Sequence, residues 1–245
     1  MSAELLITTS IAVFAATVFQ TIAGFGYAII GIPILSTILG AKGAVIFLLV
    51  SGTYMRIFML MRVYKEVNFS LVKLLFFGSL IGVIPGSLVL KYVEGNALNI
   101  GLGLTLILAV VLLKFKFTWH TIHEKLEQIF FGVVGGFFTS ATSVGGPPIA
   151  VYMLHAGRPK EKSRADLICY FVLCNIWVLV AGYYIGNFKI EDFFGAPLWS
   201  LPAGFLGMYV GEKIFRHINQ ELFNKIALIT ILVSALRMIY KGLML

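Results

Sequence analysis

The sequence predicts an all-α polytopic membrane protein. We expect two inverted-topology repeats, each a broken helical hairpin followed by three transmembrane helices. Three observations predict this fold: the chain is strongly apolar, polar breaks interrupt two of its apolar regions, and its two halves align at fixed offsets. The 245 residues are 59% hydrophobic and 12% charged, with a mean hydropathy of +0.95. An average soluble domain contains about 25% charged residues, so this composition excludes a water-soluble fold.

Apolar stretches long enough to cross a bilayer recur along the chain. A spanning helix needs about 20 consecutive apolar residues. Two regions, 4–39 and 126–156, are apolar but interrupted by glycine, proline and hydroxyl residues. No stretch is polar enough for a soluble domain, so we expect one compact membrane bundle. The uninterrupted candidate spans are 44–61, 70–90, 96–113, 165–186, 193–211 and 222–240.

The chain divides into two similar halves. We expect a first membrane repeat at 1–117, a cytoplasmic linker at 118–125 and a second membrane repeat at 126–245. Matches that keep one order along the chain indicate an internal duplication. An offset of 125 residues aligns Gly82-x-x-x-Gly86 with Gly207-x-x-x-Gly211. An offset of 119 aligns the interrupted regions, pairing Phe19 with Phe138, Gln20 with Thr139, Gly26 with Gly145 and Leu35 with Leu154.

The distribution of basic residues indicates how the interrupted regions cross the membrane. If each counts as one span, the loop Lys and Arg residues divide nine against nine between the two sides. If each enters and returns on the same side, thirteen lie on one side and five on the other. Membrane proteins concentrate Lys and Arg in cytoplasmic loops, so the second arrangement is favoured. Three spans then follow each hairpin, and the second repeat enters the membrane from the opposite side, a common plan in secondary transporters.

The breaks themselves are the candidate binding site. A non-helical backbone at membrane depth is tolerated only where protein or a water-lined cavity satisfies its polar groups. The helix ends beside such a break expose N–H groups and a partial positive charge, which suit an anion. Close packing of small residues is the structural alternative. The candidate substrate-binding residues at the breaks are Gln20, Thr21, Gly24, Gly26, Thr139, Ser140, Thr142, Ser143, Gly145 and Gly146.

Two further candidates lie within predicted spans. Arg56 can either extend to the headgroups or face the interior and bind an anion. Asn175 occupies the corresponding stretch of the second half, where an interhelical hydrogen bond is the alternative. The paired Gly-x-x-x-Gly motifs are typical of close helix packing. They can hold the two halves together or pair two protomers, and we expect the former.

No enzyme constellation is present in the sequence. It contains no metal-spaced His and Cys set, no phosphate-binding glycine loop and no catalytic carboxylate pair, so we expect no enzyme, no cofactor and no metal site. The net charge of +8 lies in short loops, as expected of a membrane protein, and does not indicate nucleic-acid binding. The expected partners are a small anion and the lipid bilayer, and a homodimer is left open.

The two breaks resemble glycine-rich motifs of the sulfite exporter TauE/SafE family of membrane permeases. "AGFGYAIIGIPIL" at 23–35 is similar to the first motif and "TSVGGPPIAVYML" at 142–154 to the second. The chain departs from the pattern at Tyr27, Ala28 and Ser143, where glycines are expected. The resemblance covers essentially the whole chain and implies transport of sulfite, organosulfonates such as sulfoacetate, or related sulfur anions.

These observations together predict an exporter of a small anion in a bacterial inner membrane, with its main basic loops in the cytoplasm. The anion would bind between the two breaks and move by alternating access. A non-transporting membrane scaffold or accessory subunit is one alternative. A transporter of a non-sulfur metabolite is another, while metal cations are disfavoured because no acidic residue lies deep in a span.

Overall fold

A computed structural model describes residues 3–93, 95–115, 123–157, 159–217, 232–233, 235–240 and 242–243. Within these ranges the regular structure is helical, and short 3-10 helices at Tyr64–Glu66 and Ile190–Phe193 join longer elements. The α-helices are α1 (Ala3–Ala23), α2 (Tyr27–Leu35), α3 (Gly40–Val63), α4 (Phe69–Tyr92), α5 (Gly95–Lys114), α6 (Glu124–Thr142), α7 (Gly146–His155), α8 (Lys160–Ile185), α9 (Ala196–Trp199) and α10 (Leu201–His217).

Five helices in the described part of the chain are long and apolar enough to cross a membrane: α1, α3, α4, α5 and α8. The predicted spans 44–61, 70–90, 96–113 and 165–186 are confirmed as the cores of the last four of these. Helix α6 begins at Glu124, within the segment expected to be a linker; residues 116–122 lie outside the described part.

The predicted span 193–211 is not a continuous helix. The segments Ile190–Trp199 and Leu201–Phe215 meet at an angle of 56°, so together they form at most one bent span. The physical reason is Pro202, which has no N–H to continue the hydrogen bonding of the preceding turn. The predicted span 222–240 lies largely outside the described residues.

Both interrupted regions contain a helix break where the sequence predicts one. The first break, between α1 and α2, contains Gly24 and Gly26 with φ of 82° and 92°. The second, between α6 and α7, begins at Ser143 with φ of 60°, the sole positive φ of a non-glycine residue in the described chain. Side chains resist this left-handed conformation by about 1–2 kcal/mol. Ser143 therefore adopts a backbone conformation that glycine favours.

The two arms of each hairpin differ in length. The first arms α1 and α6 have 21 and 19 residues, whereas the returning arms α2 and α7 have 9 and 10. Because the glycines and prolines lie late in each region, the chain completes a long helix before it turns. Each break thus brings together the C-terminus of a long helix and the N-terminus of a short one.

The most extensive helix contacts in the described chain join α4 to α6 and α1 to α10. A Cβ added to Gly82 would lie 1.9 Å from the Val133 oxygen, and one added to Gly207 would lie 2.6 Å from the Phe14 oxygen. At these points the helix backbones are in contact. The predicted role of the Gly-x-x-x-Gly motifs in joining the two halves is confirmed.

These two interfaces follow the same offsets as the sequence repeat. Gly86 packs on the Phe137 oxygen and Ser140, while Gly211 packs on the Val18 oxygen and Thr21. The offset of 125 relates the two glycines, and the offset of 119 relates the residues that they contact. The same type of contact therefore occurs twice: a glycine helix of the first half packs on α6 of the second, and a glycine helix of the second half packs on α1 of the first.

Contacts at the helix ends show which termini share a side of the bundle. The Lys42 ammonium donates to the Lys91 carbonyl, and Lys91 donates to the Ile185 carbonyl, so the start of α3 lies beside the ends of α4 and α8. His155 lies 3.9 Å from Glu127, which places the end of α7 beside the start of α6. The second hairpin therefore leaves the bundle close to where it began.

Candidate functional site

The two breaks meet inside the bundle. Phe25, between the two left-handed glycines of the first break, lies against Gly146 at the start of α7. A Cβ at Gly146 would lie 2.8 Å from the Phe25 ring, so glycine is required there while the ring keeps its position. Neither α2 nor α7 has a side chain that caps its N-terminus. The breaks thus form one joint region, as the sequence predicts.

Arg56 lies in the interior of the bundle close to this region. The residue is only 4% exposed, so it does not extend to the headgroups. Its guanidinium carbon lies 5.6 Å from the centre of the Tyr27 ring and 5.4 Å from that of Phe171. Cation–π contacts of this kind stabilise a desolvated cation by about 2 kcal/mol or more. Arg56 is thereby positioned between α2, which follows the first break, and α8.

The guanidinium has no acidic partner among the described residues. None of the ion pairs there includes Arg56, and its Nε and Nη1 atoms are buried without a hydrogen-bond acceptor. A buried charge normally requires pairing or hydrogen bonding. The positive charge is therefore available to an anion.

Asn175 lies on α8 one turn beyond Phe171 and is 1% exposed. Its Nδ2 donates to Thr53 Oγ1 at 3.2 Å, which is the interhelical hydrogen bond expected as the alternative role. Its Oδ1 is buried and unpaired. The offset of 119 relates Asn175 to Arg56, so equivalent positions carry one charged and one neutral side chain.

Other unpaired polar atoms lie on α1. Gln20 is fully buried, and neither its Nε2 nor its Oε1 has a hydrogen-bond partner in the described structure. Thr17, one helical turn earlier, lies beside the Tyr27 hydroxyl. Each unsatisfied buried group of this kind costs about 1–3 kcal/mol. Ordinary cores pair such groups, so the unpaired Gln20 amide is a candidate ligand-binding group.

The predicted hydroxyl residues mostly bond their own helices. Thr21 Oγ1 donates to the Thr17 carbonyl, Thr139 Oγ1 to the Gly135 carbonyl and Ser140 Oγ to the Gly136 carbonyl. Thr142 Oγ1 donates to the Phe138 carbonyl and accepts from the Val144 N–H, which helps to hold the second break.

Packing also places some of these residues at helix interfaces. Thr21 contacts Gly211 of α10, and Ser140 contacts Gly86 of α4. Gly24 packs on Arg164 of α8, and Gly145 packs on Thr139. Arg56 and Gln20 are therefore the predicted residues with free donors, whereas the hydroxyls and glycines shape and support the breaks.

Sequence reasoning missed the residues that surround Arg56. Tyr27 donates to Ser51 Oγ at 3.1 Å while its ring contacts the guanidinium. Phe171 covers Arg56 from α8, and Cys174 lies near both Arg56 and Thr139. The one available signal was Tyr27, which occupies a position where the family resemblance leads us to expect glycine.

A groove of about 350 Å³ lies at the bundle surface, away from the breaks. Its lining is apolar and includes Ile57, Met61 and Tyr64, which are themselves exposed. It offers no polar group suited to an anion, so the buried region is the better candidate site.

A family model identifies the chain. The model of the sulfite exporter TauE/SafE family matches residues 9–238, which is nearly the whole sequence. This chain belongs to the sulfite exporter TauE/SafE family. No curated protein and no solved structure matches it.

Family membership agrees with the architecture. TauE/SafE proteins are membrane permeases, and the five or six helices of spanning length make this chain a multi-pass membrane protein. Large apolar side chains exposed on α4 fit the same conclusion; they include Phe77, Ile81, Ile84 and Leu88.

Proposed function

We propose that this chain transports a small sulfur oxyanion, sulfite or an organosulfonate, across a bacterial inner membrane, and that it catalyses no reaction. The observation that carries the proposal is Arg56. A guanidinium buried between two rings, without an acidic partner and with two unpaired nitrogens, is suited to an oxyanion. Guanidinium groups bind oxyanions through parallel hydrogen bonds with matching geometry.

The proposed binding region lies between the two breaks. Gln20 contributes a second buried donor from α1, and the uncapped start of α2 contributes backbone N–H groups. All twelve predicted site residues are buried in this conformation. The proposed substrate would therefore be enclosed, which corresponds to an occluded state of a transport cycle.

Alternating access would follow from movement of one half against the other. The equivalent glycine contacts of α4 with α6 and of α10 with α1 support two inverted repeats. Flat backbone contacts between small residues allow helices to slide past one another. Phe25 is flanked by two left-handed glycines, and its displacement from Gly146 would open a path past the breaks.

The orientation in the membrane follows from charge. The ends of α3 and α10 lie together, because Arg62 pairs with Glu212 at 3.0 Å. This side also carries Lys65 and the basic start of α8, so we place it in the cytoplasm.

The test is uptake of radiolabelled sulfite into proteoliposomes that contain the purified protein. Replacement of Arg56 by Gln removes hydrogen bonds to a charged group, worth about 1.5–3 kcal/mol, so apparent affinity should fall roughly 10- to 100-fold. Arg62→Gln is the matched control, because Arg62 is half-exposed and bonds Glu212. We expect that control to transport normally. Equal rates for the protein and Arg56→Gln would exclude the proposed site, and no uptake of any sulfur anion by the unmodified protein would favour a scaffold.

A further inference from the structure

A second cation lies at the first break. Arg164, near the start of α8, packs its aliphatic stem on Gly24, where an added Cβ would lie 3.1 Å from its Cα and 3.3 Å from its Cγ. Its Nε is buried without a hydrogen-bond partner, and its guanidinium carbon lies 4.8 Å from the centre of the Phe215 ring of α10. Arg164 therefore shares two features with Arg56, a ring contact and an unpaired nitrogen.

Lys160 brings another positive charge to the same ring. Its Nζ lies 4.2 Å from the centre of the Phe215 ring, one helical turn before Arg164 on α8. Like charges four residues apart destabilise a helix, and neither cation joins an ion pair among the described residues. The charge of Glu212 acts on Arg164, but its carboxylate lies 3.0 Å from Arg62. The two adjacent cations are therefore suited to an anion.

This pair of cations lies between the proposed cytoplasmic side and Arg56. Arg164 and Phe171 are seven residues apart on α8, which places them on one face of the helix. At a rise of 1.5 Å per residue, Arg164 lies about 10 Å along the axis from Phe171, whose ring covers Arg56. Gly24 of the first break lies against Arg164. An anion bound at Arg164 would thus be next to the break that leads to Arg56.

The first half has no such pair at the equivalent positions. The offset of 119 relates Lys160 and Arg164 to two apolar residues near the start of α3, Ala41 and Val45. Lys42, beside them, donates to the Lys91 carbonyl, and Lys91 donates to the Ile185 carbonyl. The two ends of the bundle therefore differ, and the basic pair belongs to the end that we place in the cytoplasm.

We propose that Lys160 and Arg164 form a second oxyanion-binding site, at the cytoplasmic end of the first break, where the substrate binds before it reaches Arg56. This inference rests on the proposed function and adds a binding step to it. A guanidinium and an ammonium one turn apart can donate charge-assisted hydrogen bonds to one tetrahedral oxyanion. Sulfite, sulfonates and the phosphate of a lipid headgroup share this chemistry, and the experiment separates soluble anions from lipid.

The experiment measures initial uptake of radiolabelled sulfite, below half-saturation, into proteoliposomes of phosphatidylcholine, which has no net charge. Arg164→Gln and Lys160→Gln should each lower the rate about three- to fivefold, the effect of losing one partly exposed charge. Arg164→Lys should retain most of the rate because it keeps the charge. Lys65→Gln is the matched control, since Lys65 is exposed on the same side of the bundle, and it should transport normally.

Thermal unfolding with sulfite separates this site from the deeper one. Arg164→Gln should keep the stabilisation by sulfite that depends on Arg56, because the deeper site is intact. Loss of that stabilisation would show that Arg164 supports the deeper site or the fold, and it would overturn the proposal of a separate site. Lys160→Gln, which lies outside the contact with Gly24, tests the site independently of any folding defect in Arg164→Gln.

The remaining outcomes distinguish the second site from the proposed function. Unchanged uptake by both Arg164→Gln and Lys160→Gln, or an equal loss in Lys65→Gln, would overturn the second site and leave the proposed function intact. A loss that occurs only in vesicles containing phosphatidylglycerol would assign the pair to a lipid headgroup and overturn it as well. Failure of the unmodified protein to take up sulfite would contradict both.

Discussion

Replacement of Gly82 by Ala should destabilise the protein, because the α4 and α6 backbones are in contact at this residue. The new Cβ would lie 1.9 Å from the Val133 oxygen, whereas ordinary van der Waals contact begins at 3.4 Å. The helices must therefore separate locally by the difference, about 1.5 Å. Inserting a group into packed structure typically costs about 1–3 kcal/mol. Because α4 and α6 share a long interface, we expect a value toward the upper end of this range.

Two further alanine substitutions calibrate the effect. At Gly207 the Cβ would lie 2.6 Å from the Phe14 oxygen, so Gly207→Ala should destabilise by less than Gly82→Ala. A Cβ at Gly101, within α5, meets no atom of the described structure within 4 Å. Gly101→Ala should therefore be neutral or stabilising by up to about 1 kcal/mol, the difference in helix propensity.

The assay is unfolding of the purified protein in mixed micelles with increasing denaturing detergent, followed by circular dichroism. From the most to the least stable, the predicted order of the variants is Gly101→Ala, Gly207→Ala and Gly82→Ala. If Gly82→Ala were as stable as Gly101→Ala, the close contact between α4 and α6 would be wrong. The assignment of the Gly-x-x-x-Gly motifs to the joint between the halves would fail with it.

Three other predictions concern the breaks and the surface. Ser143→Gly should stabilise the protein by about 0.5–1 kcal/mol in the same assay, because relief of the left-handed backbone exceeds the added freedom of the unfolded chain. Gly24→Ser should destabilise it, because serine would have to adopt the left-handed conformation of Gly24. Changes in stability of the same sign in both variants would refute this reasoning. Phe25→Ala should increase passive leakage of sulfite from proteoliposomes, and unchanged leakage would exclude Phe25 as a barrier. Arg62→Ala should change stability by less than about 1 kcal/mol, since its ion pair with Glu212 is exposed, and a larger loss would show that the pair is structural.

The helix breaks are predictable from the sequence because their causes are local. Dense clusters of glycine, proline and hydroxyl residues favour a helix break, and the structure places breaks at Gly24 and Ser143 as predicted. The spans α3, α4, α5 and α8 follow from continuous apolar runs. The bend near Ser200 was missed because a run of high hydropathy concealed the effect of Pro202.

The surroundings of Arg56 are not predictable in the same way. Its contacts with Tyr27 and Phe171 join residues far apart in the chain, and helical periodicity gives no information on which helices become neighbours. Burial of Arg56, left open by the sequence, follows from these contacts.

The paired melts of the protein and its Arg56→Met variant, each with and without sulfite, test the central claim most directly. Without ligand, removal of a buried charge that has no acidic partner should leave stability unchanged or raise it, apart from the lost ring contacts. Sulfite at a hundred times its dissociation constant should stabilise the protein by about 2.7 kcal/mol and leave the variant unaffected. A variant that is strongly destabilised yet still stabilised by sulfite would show that Arg56 holds the fold together and that the anion binds elsewhere.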